Sequence, residues 1–463
     1  MLKLFGQYVP IKSLLLAGSE SFLIVFSVWL AAFVKRSNID PLPELGTGTS
    51  ALRLGIVVAI CVTCFYFNDL YDLHVVARRS ELLTRLMQAL GAASVLLAFL
   101  YYFIPDLMFG RGVSAVAALV IGITLVGWRL AVDAAGVLFR PEQRVLIAGT
   151  GPAGIRLVRE LVEHPELNFT VLGFLDEKGE NIGKRLVNPG IIGALEELDE
   201  FVRKERVDRV VLSFAERRGQ MPVEKLLRMK FSGTRVEDAY SLYEKLTGQI
   251  MLERLTPSWL ILSDGFRLNS LQLLLKRVSD VLMSVIALVL CAPLALLIAF
   301  AIYLESGTPI LFRQQRVGLK EQRFRILKFR SMWHDADKSS ATWATEGDKR
   351  VTRVGRVLRR YRLDELPQFV NVLLGDMSIV GPRPEQPALV SMLEQQIPYY
   401  AQRHTVRPGI TGWAQIKYKY GASVGDAITK LEYELFYIKH MSISFDFLII
   451  FRTIQVVLFG AGT

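Results

Sequence analysis

Four long, nearly uninterrupted apolar stretches occupy the first third of the chain, at about residues 14–34, 51–67, 86–104 and 113–128 or somewhat beyond. Each approaches the roughly 20 residues that cross about 30 Å of hydrocarbon at 1.5 Å per residue. They predict four transmembrane helices within residues 1–140. The first is not expected to be a cleaved signal peptide, because it is long, lacks a small-residue cleavage pattern and is followed by further spans. Lys3, Lys12, Arg78, Arg79 and Arg85 flank one side, and Lys35, Arg36, Arg53 and Arg111 the other, a balance that barely favours a cytoplasmic N-terminus. Four spans return the chain to the side on which it began, so everything after Arg140 is expected on that same, cytoplasmic side.

The pattern then changes period. "RVLIAGTGPAGIRLVREL" is an apolar strand, a glycine-rich turn and an amphipathic helix; "TVLGFLDE" and "RVVLSF" are further strands, with "LEELDEFVRKER" as a helix between them. Strands alternating with helices predict a parallel, doubly wound, Rossmann-like α/β domain over 141–260.

A fifth apolar run follows at about 273–304, and its core from 281 to 303 carries no charge over 23 residues, about 35 Å of straight helix. A plain span would put all that follows on the side opposite the α/β domain. Pro293, near its middle, removes a backbone hydrogen bond and predicts a kink. A re-entrant helix that enters and leaves by one face reconciles both features. Beyond it, basic, aromatic and apolar residues alternate, and 445–458 is apolar but broken by Asp446 and Arg452, which suits an interfacial or core helix.

Composition sharpens this alternation of membrane and soluble parts. The chain is 51% hydrophobic and 21% charged, too greasy for an ordinary soluble enzyme and too polar for a bundle of spans alone. Its net charge of +11 points to anionic partners: lipid headgroups, nucleic acid or phosphate-bearing substrates. Nucleic acid is disfavoured because the basic residues cluster around an apolar insertion. The three cysteines all lie inside apolar runs, which excludes a disulfide framework. The five histidines, His74, His164, His334, His404 and His440, show no HxxxH or HExxH spacing, so no dedicated zinc site is expected.

Candidate chemistry collects at two places. Gly149, Gly151 and Gly154 lie between a strand and a helix, with Asp176 22 residues after Gly154, the context of a dinucleotide fingerprint. Tight strand-to-helix packing explains the same glycines, and no hydride-transfer motif accompanies them. The second place is "RLDELPQFVNVLLGDMSIVGPRPE". There Asp364 is expected to cap a helix from about 365 to 374, with Pro367 in its first turn and Gly375 at its end. A carboxylate at that position suits attack on phosphorus, since the helix end keeps it ionised and attracts phosphate. Arg360 belongs to a crowded run of arginines just upstream. Arg383 is held between two prolines as a phosphate clamp, and Arg313, Arg316, Lys328 and Arg330 follow the membrane helix on predicted strand.

Taken together, "KRVSD", "FRQQRVG", "KFRSM", "LDELPQFVNVLLGDMSIVGPRPE" and "RPGITGWAQI" resemble the catalytic domain of bacterial polyprenyl-phosphate phosphoglycosyl transferases, and the layout is similar to the large monotopic exopolysaccharide-initiating type. The resemblance implies transfer of sugar-1-phosphate from a UDP-sugar to undecaprenyl phosphate, releasing UMP, at the inner membrane with the soluble domains facing the cytoplasm. It implies Asp364 as nucleophile through an aspartyl-phosphosugar intermediate, and Glu365 as a magnesium ligand or as the base for the lipid phosphate. It also implies Mg2+ held by Asp364 and Glu365, and Asp446 as a late acid that helps hold the site; homodimerisation is left open. The sequence departs from the family at Ala292, where a serine commonly precedes the helix-breaking proline, and at Thr308 in the turn Gly307-Thr308-Pro309. The expected fold is therefore membrane α plus α/β: a four-helix transmembrane bundle, a Rossmann-like doubly wound domain, and a mixed α/β catalytic domain over 261–463 with a re-entrant membrane helix.

Overall fold

The computed structural model describes residues 2–4, 7–9, 11–34, 48–71, 79–138, 143–214, 221–254, 265–266, 269–333, 350–418, 421 and 423–458. The flanks Lys35, Arg36 and Arg78, together with Arg140, His74 and His334, lie outside them. The chain divides into two compact units: Met1–Leu2 with Val9–Ala239, and Lys3–Tyr8 with Tyr240–Thr463.

In the first unit the four apolar stretches form the helices Ile11–Val34, Gly48–Phe67, Arg79–Phe103 and Arg111–Leu138. All four are long and apolar enough to cross a membrane. Their facing sides bury Ile24, Phe65, Leu86 and Leu125, while Phe22, Phe99, Tyr102 and Leu119 point outward. Apolar residues on both faces are what a helix needs when its solvent is hydrocarbon rather than water. Polar groups inside the packing pair with each other: Ser27 and Thr124 share a hydrogen bond of 3.0 Å, and a fully buried ion pair joins Glu20 to Arg129, whose Nη1 also donates to Leu70 O at 2.7 Å. Cys61 and Cys64 are buried in the same packing and unbridged.

The α/β part of this unit is a five-stranded sheet in which every strand pair is parallel. Its spatial order is Ile191–Ala194, Phe169–Asp176, Gln143–Ala148, Arg209–Leu212, Arg235–Asp238. The three predicted strands form its centre. The two flanking strands have four residues each and lack the continuous apolar run that marks Arg209–Leu212: Ile191–Ala194 contains Gly193, and Arg235–Asp238 carries three charged residues.

The second unit begins earlier than residue 260. In the helix Ala239–Thr247, Glu244 accepts hydrogen bonds from Lys439 Nζ at 2.7 and 2.9 Å, and just beyond that helix Trp413 Nε1 donates to Gly248 O at 3.0 Å. The fifth apolar run forms one 37-residue helix, Ser270–Ser306, with Pro293 inside it and Asn269 capping its first turn through Leu271 N at 3.1 Å. After it come an antiparallel hairpin, Leu311–Val317 with Arg323–Phe329, and the helices Arg353–Arg360 and Gln368–Leu374. The strand Ser378–Val380 pairs in parallel with Gly409–Thr411, and the unit closes with the helices Val424–His440 and Ile443–Leu458. Its core gathers Val372, Ile379, Trp413, Leu431, Leu435, Phe436 and Phe445. Segment 445–458 is therefore a helix that contributes to this core.

Candidate active site

Asp364 does not cap a helix. Arg362 adopts a left-handed conformation (φ 53°), a single 3-10 turn covers Leu363–Glu365, and the α-helix proper starts only at Gln368, with Pro367 at its cap position. The backbone dipoles of a seven-residue helix are thus not what surrounds the two acids. Side-chain cations do that work instead.

Asp364 and Glu365 are both buried at 8% exposure, and their environments differ. Glu365 Oε1 accepts from Lys328 Nζ at 2.9 Å and from Arg383 Nη2 at 3.0 Å. Burial alone would raise the Glu365 pKa, but Lys328, Arg383 and Arg362 outweigh it and hold the carboxyl well below the usual range. Among the described residues no hydrogen bond engages the Asp364 carboxylate. Burial lifts its pKa above the ordinary value, the adjacent Glu365 charge adds to the lift, and Lys328, Arg359 and Arg383 oppose it. Two neighbouring acids are thereby driven apart, one locked as an anion and the other more basic and unengaged.

The frame behind the pair is built from buried polar contacts. Asn371 ties the Gln368–Leu374 helix to the hairpin edge, donating to Arg325 O at 2.8 Å and accepting from Leu327 N at 2.9 Å, which sets Lys328 beside Glu365. The "KRVSD" stretch anchors the start of the long helix. Arg277 donates to Val372 O at 2.6 Å and Leu373 O at 2.9 Å, Lys276 to Val380 O at 3.1 Å and Asp446 at 2.6 Å, and Asp280 accepts from Ile379 N at 3.1 Å. At the other end of that helix, Glu305 accepts from the Arg353 and Val354 amides at 2.7 and 2.9 Å, fixing the helix that carries Arg359. Arg383 leaves the strand Ser378–Val380 through Gly381, where a Cβ would meet Arg407 O at 2.4 Å, so only glycine fits. Arg403 donates to Arg383 O at 2.8 Å and forms a two-pronged buried pair with Glu434 at 2.9 and 2.7 Å, which fixes the loop.

The structure redistributes the expected phosphate ligands. Lys328 and Arg383 stand at the acids. Arg316 instead donates to Pro384 O at 3.1 Å and Gln314 at 2.7 Å and lies 3.6 Å from Glu385, so it braces the Arg383 loop. Arg330 is buried, with one guanidinium nitrogen donating at 2.7 Å to Ser306 O, Ser306 Oγ and Gly307 O, and so closes the C-terminus of the long helix. Arg313 pairs across the hairpin with Leu327, on the face opposite Lys328, and is exposed. Arg360 is exposed and sits over the ring of its neighbour Tyr361 at 5.8 Å; Arg359 and Arg362 are the members of that run that act on the acids. Asp446 is held by partners other than the dyad. It accepts from Lys276 and from Tyr437 OH at 2.7 Å in the buried frame, and burial raises its pKa. Pro293 lies inside the unbroken helical run with its neighbours Ala292 and Leu294 exposed.

The glycine-rich turn of the first unit is filled by protein. Gly149 N donates to Leu175 O at 2.9 Å, Gly151 N to Ser213 O at 2.7 Å, and Gly154 N to Ser213 Oγ at 2.7 Å. Asp176 closes its own turn through Asn181, whose Nδ2 donates at 3.2 Å. These glycines serve close packing against Ser213, where a Cβ on Gly149 would come within 2.4 Å of a backbone oxygen.

Residues 271–460 match the bacterial sugar transferase family, and residues 66–228 match a family described as a CoA-binding domain. The chain is 47% identical over 220 residues to the UDP-N-acetylgalactosamine-undecaprenyl-phosphate N-acetylgalactosaminephosphotransferase of Aeromonas hydrophila, covering 47% of this chain and 51% of that protein. It is 34% identical over 356 residues to the UDP-glucose:undecaprenyl-phosphate glucose-1-phosphate transferase of Klebsiella pneumoniae, covering 72% and 74%. A Xanthomonas campestris protein of that same description is 29% identical over 94% of this chain and 90% of its own length. Against the Aeromonas protein, the chain spans about half the relative's length. The chain belongs to the bacterial sugar transferase family.

Proposed function

We propose that this protein transfers sugar-1-phosphate from a UDP-sugar to undecaprenyl phosphate, initiating assembly of a surface glycan such as an exopolysaccharide. The observation that carries the reading is the divided acid pair: an unengaged, buried Asp364 beside a Glu365 clamped by Lys328 and Arg383. An Asp364 oxygen attacks the sugar-bearing phosphorus, the bond from that phosphorus to the bridging oxygen breaks, and UMP departs. An oxygen of the lipid phosphate then attacks the same phosphorus and releases the Asp364 carboxylate.

A carboxylate whose basicity is suppressed by two cations is a poor proton acceptor, which favours the metal-ligand and electrostatic role for Glu365 over that of base. Glu365 Oε2 and both Asp364 oxygens carry no hydrogen bond among the described residues, an all-oxygen donor set that suits Mg2+. Bound there with substrate phosphate, Mg2+ would neutralise charge developing on the phosphoryl oxygens. Lys328 and Arg383 supply fixed positive charge from the protein, and burial keeps competing water away from the phosphorus.

The re-entrant reading of Ser270–Ser306 is supported by where that helix is held. Lys276, Arg277 and Asp280 at one end and Ile298, Ile302 and Ser306 at the other attach to the same unit, while Val289, Leu290, Leu296 and Leu297 between them are exposed. Two anchored ends with an apolar middle favour a position of the acids at headgroup level, where a soluble nucleotide sugar meets the phosphate of a buried lipid. On this reading the first four apolar helices span the inner membrane and both soluble parts face the cytoplasm.

The test is incubation of detergent-solubilised protein with undecaprenyl phosphate and a panel of UDP-sugars headed by UDP-glucose and UDP-N-acetylgalactosamine. Release of UMP with one donor is expected; release of UDP would reject phosphosugar transfer. For topology, Ser270→Cys and Thr308→Cys in a cysteine-free background should label from one face of inverted or right-side-out vesicles, and labelling from opposite faces would reject re-entry.

A further inference from the structure

We propose that Glu321, Glu394 and His404 form a second divalent-cation site, separate from the acid pair, that clamps the tip of the hairpin to the turn behind the Arg383 loop. One ligand atom from each residue lies within 4.8 Å of the others. Glu321 sits in the short turn Leu319–Glu321 between the hairpin strands, Glu394 on the helix Pro387–Gln396, and His404 on the 3-10 segment Tyr400–Thr405. Glu321 lies more than 70 residues before Glu394, and only one of the three ligands is a histidine, which is why HxxxH-type patterns miss them.

The imidazole is the second, independent observation. His404 is 7% exposed, its Nδ1 is buried with no hydrogen-bond partner, and no hydrogen bond to its other ring nitrogen is present among the described residues. Leaving that buried ring nitrogen unpaired costs about 1–3 kcal/mol, so a ligand is the natural completion. Two glutamate oxygens and one imidazole suit Zn2+ or Mn2+ better than Mg2+ or Ca2+. Bonds of about 2.1 Å require ligand atoms roughly 3.4 Å apart, a closing movement that the two exposed glutamates can make.

The site has a mechanical consequence. His404 follows Arg403, which holds the Arg383 backbone, and Glu321 lies at the far end of the hairpin that carries Lys328. A cation here would tie together the two elements that bring Lys328 and Arg383 onto Glu365.

The experiment is equilibrium dialysis of the full-length solubilised protein against buffered free Zn2+, with Mg2+ in excess, reading bound zinc. Wild type and Asp364→Ala should each retain about one equivalent, and Glu394→Gln, Glu321→Gln and His404→Gln should each weaken retention by tenfold or more. Because Glu394 and Glu321 are exposed, their variants keep the inference testable even if His404→Gln fails to fold. Zinc retention unchanged in the two glutamine variants, no retention by wild type, or loss on Asp364→Ala would overturn the site. None of these readings depends on the sugar-transfer reaction.

Discussion

Replacing Lys328 with methionine removes the ammonium 2.9 Å from Glu365 Oε1 while keeping most of the side chain's volume. At that distance and an effective dielectric of about 20, the Coulomb attraction is roughly 5–6 kcal/mol, which is a ceiling. Breaking a buried pair by removing one partner costs about 3–5 kcal/mol, because the remaining charge stays desolvated. Arg383 still contacts Glu365, so the lower end of that range is expected. In the wild type the Glu365 pKa is depressed in the folded state. Its contribution to stability is therefore present above the ordinary glutamate pKa and is lost as pH falls through the depressed folded value. A loss of about 3 kcal/mol corresponds to about two pKa units, less than the full depression, so in the variant the Glu365 carboxyl moves toward the ordinary glutamate value and stays below it. The stability difference between wild type and Lys328→Met should therefore be fully present at pH 7 and shrink as pH falls from about 5 toward 3. Thermal unfolding in detergent, followed by tryptophan fluorescence across that range, should show the shallower acid limb for Lys328→Met and the loss of the Glu365 contribution in Lys328→Met/Glu365→Gln. Parallel pH profiles for wild type, single and double variants would refute the proposed electrostatic division of the acid pair.

Arg403→Met should leave Glu434 buried without its partner and release the Arg383 backbone, costing about 3–5 kcal/mol of stability, with Arg403→Met/Glu434→Leu recovering much of the stability but not the activity; thermal melts and UMP release measured side by side check this. Arg359→Ala and Lys328→Ala should each lower kcat/KM for UMP release by at least tenfold, whereas Arg313→Ala and Arg360→Ala, both exposed and away from the acids, should change it less than threefold. Asp446→Asn should strand Lys276 in the buried frame and destabilise the second unit by about 3 kcal/mol, read as lower thermal stability. Gly149→Ala should destabilise the α/β part by strain at φ 97° and contact with Ser213, and UMP release per folded molecule should be unaffected.

The elements visible in advance were those governed by local pattern. Four apolar helices and three central strands announce themselves through run length and period, and the two acids through their own adjacency. The placement of Arg316 and Arg330 was hidden, because it depends on strand parity and on which loop docks over each face of the hairpin. The turn at Asp364 departs from the expected helix cap for a related reason: Arg362 in the left-handed region delays the helix by several residues, and nothing in "RLDELPQ" forces an arginine to adopt it. Arg403 and Glu434 stand 31 residues apart, and the roles of Lys276, Arg277 and Asp280 are defined by partners about 100 or more residues away, so tertiary contact alone reveals them. The glycine-rich turn shows the converse. Its spacing fits a nucleotide site, yet Ser213, just beyond the strand Arg209–Leu212, takes the amides of Gly151 and Gly154.

The most direct test of covalent transfer through Asp364 is a single-turnover measurement in the absence of acceptor lipid. Wild-type protein mixed with its UDP-sugar should release UMP up to the enzyme concentration, and mass spectrometry should find a phosphosugar on the peptide containing Asp364, removed again when undecaprenyl phosphate is added. Product formation with no adduct on that peptide, or an Asp364→Asn protein that turns over at the wild-type rate, would contradict it.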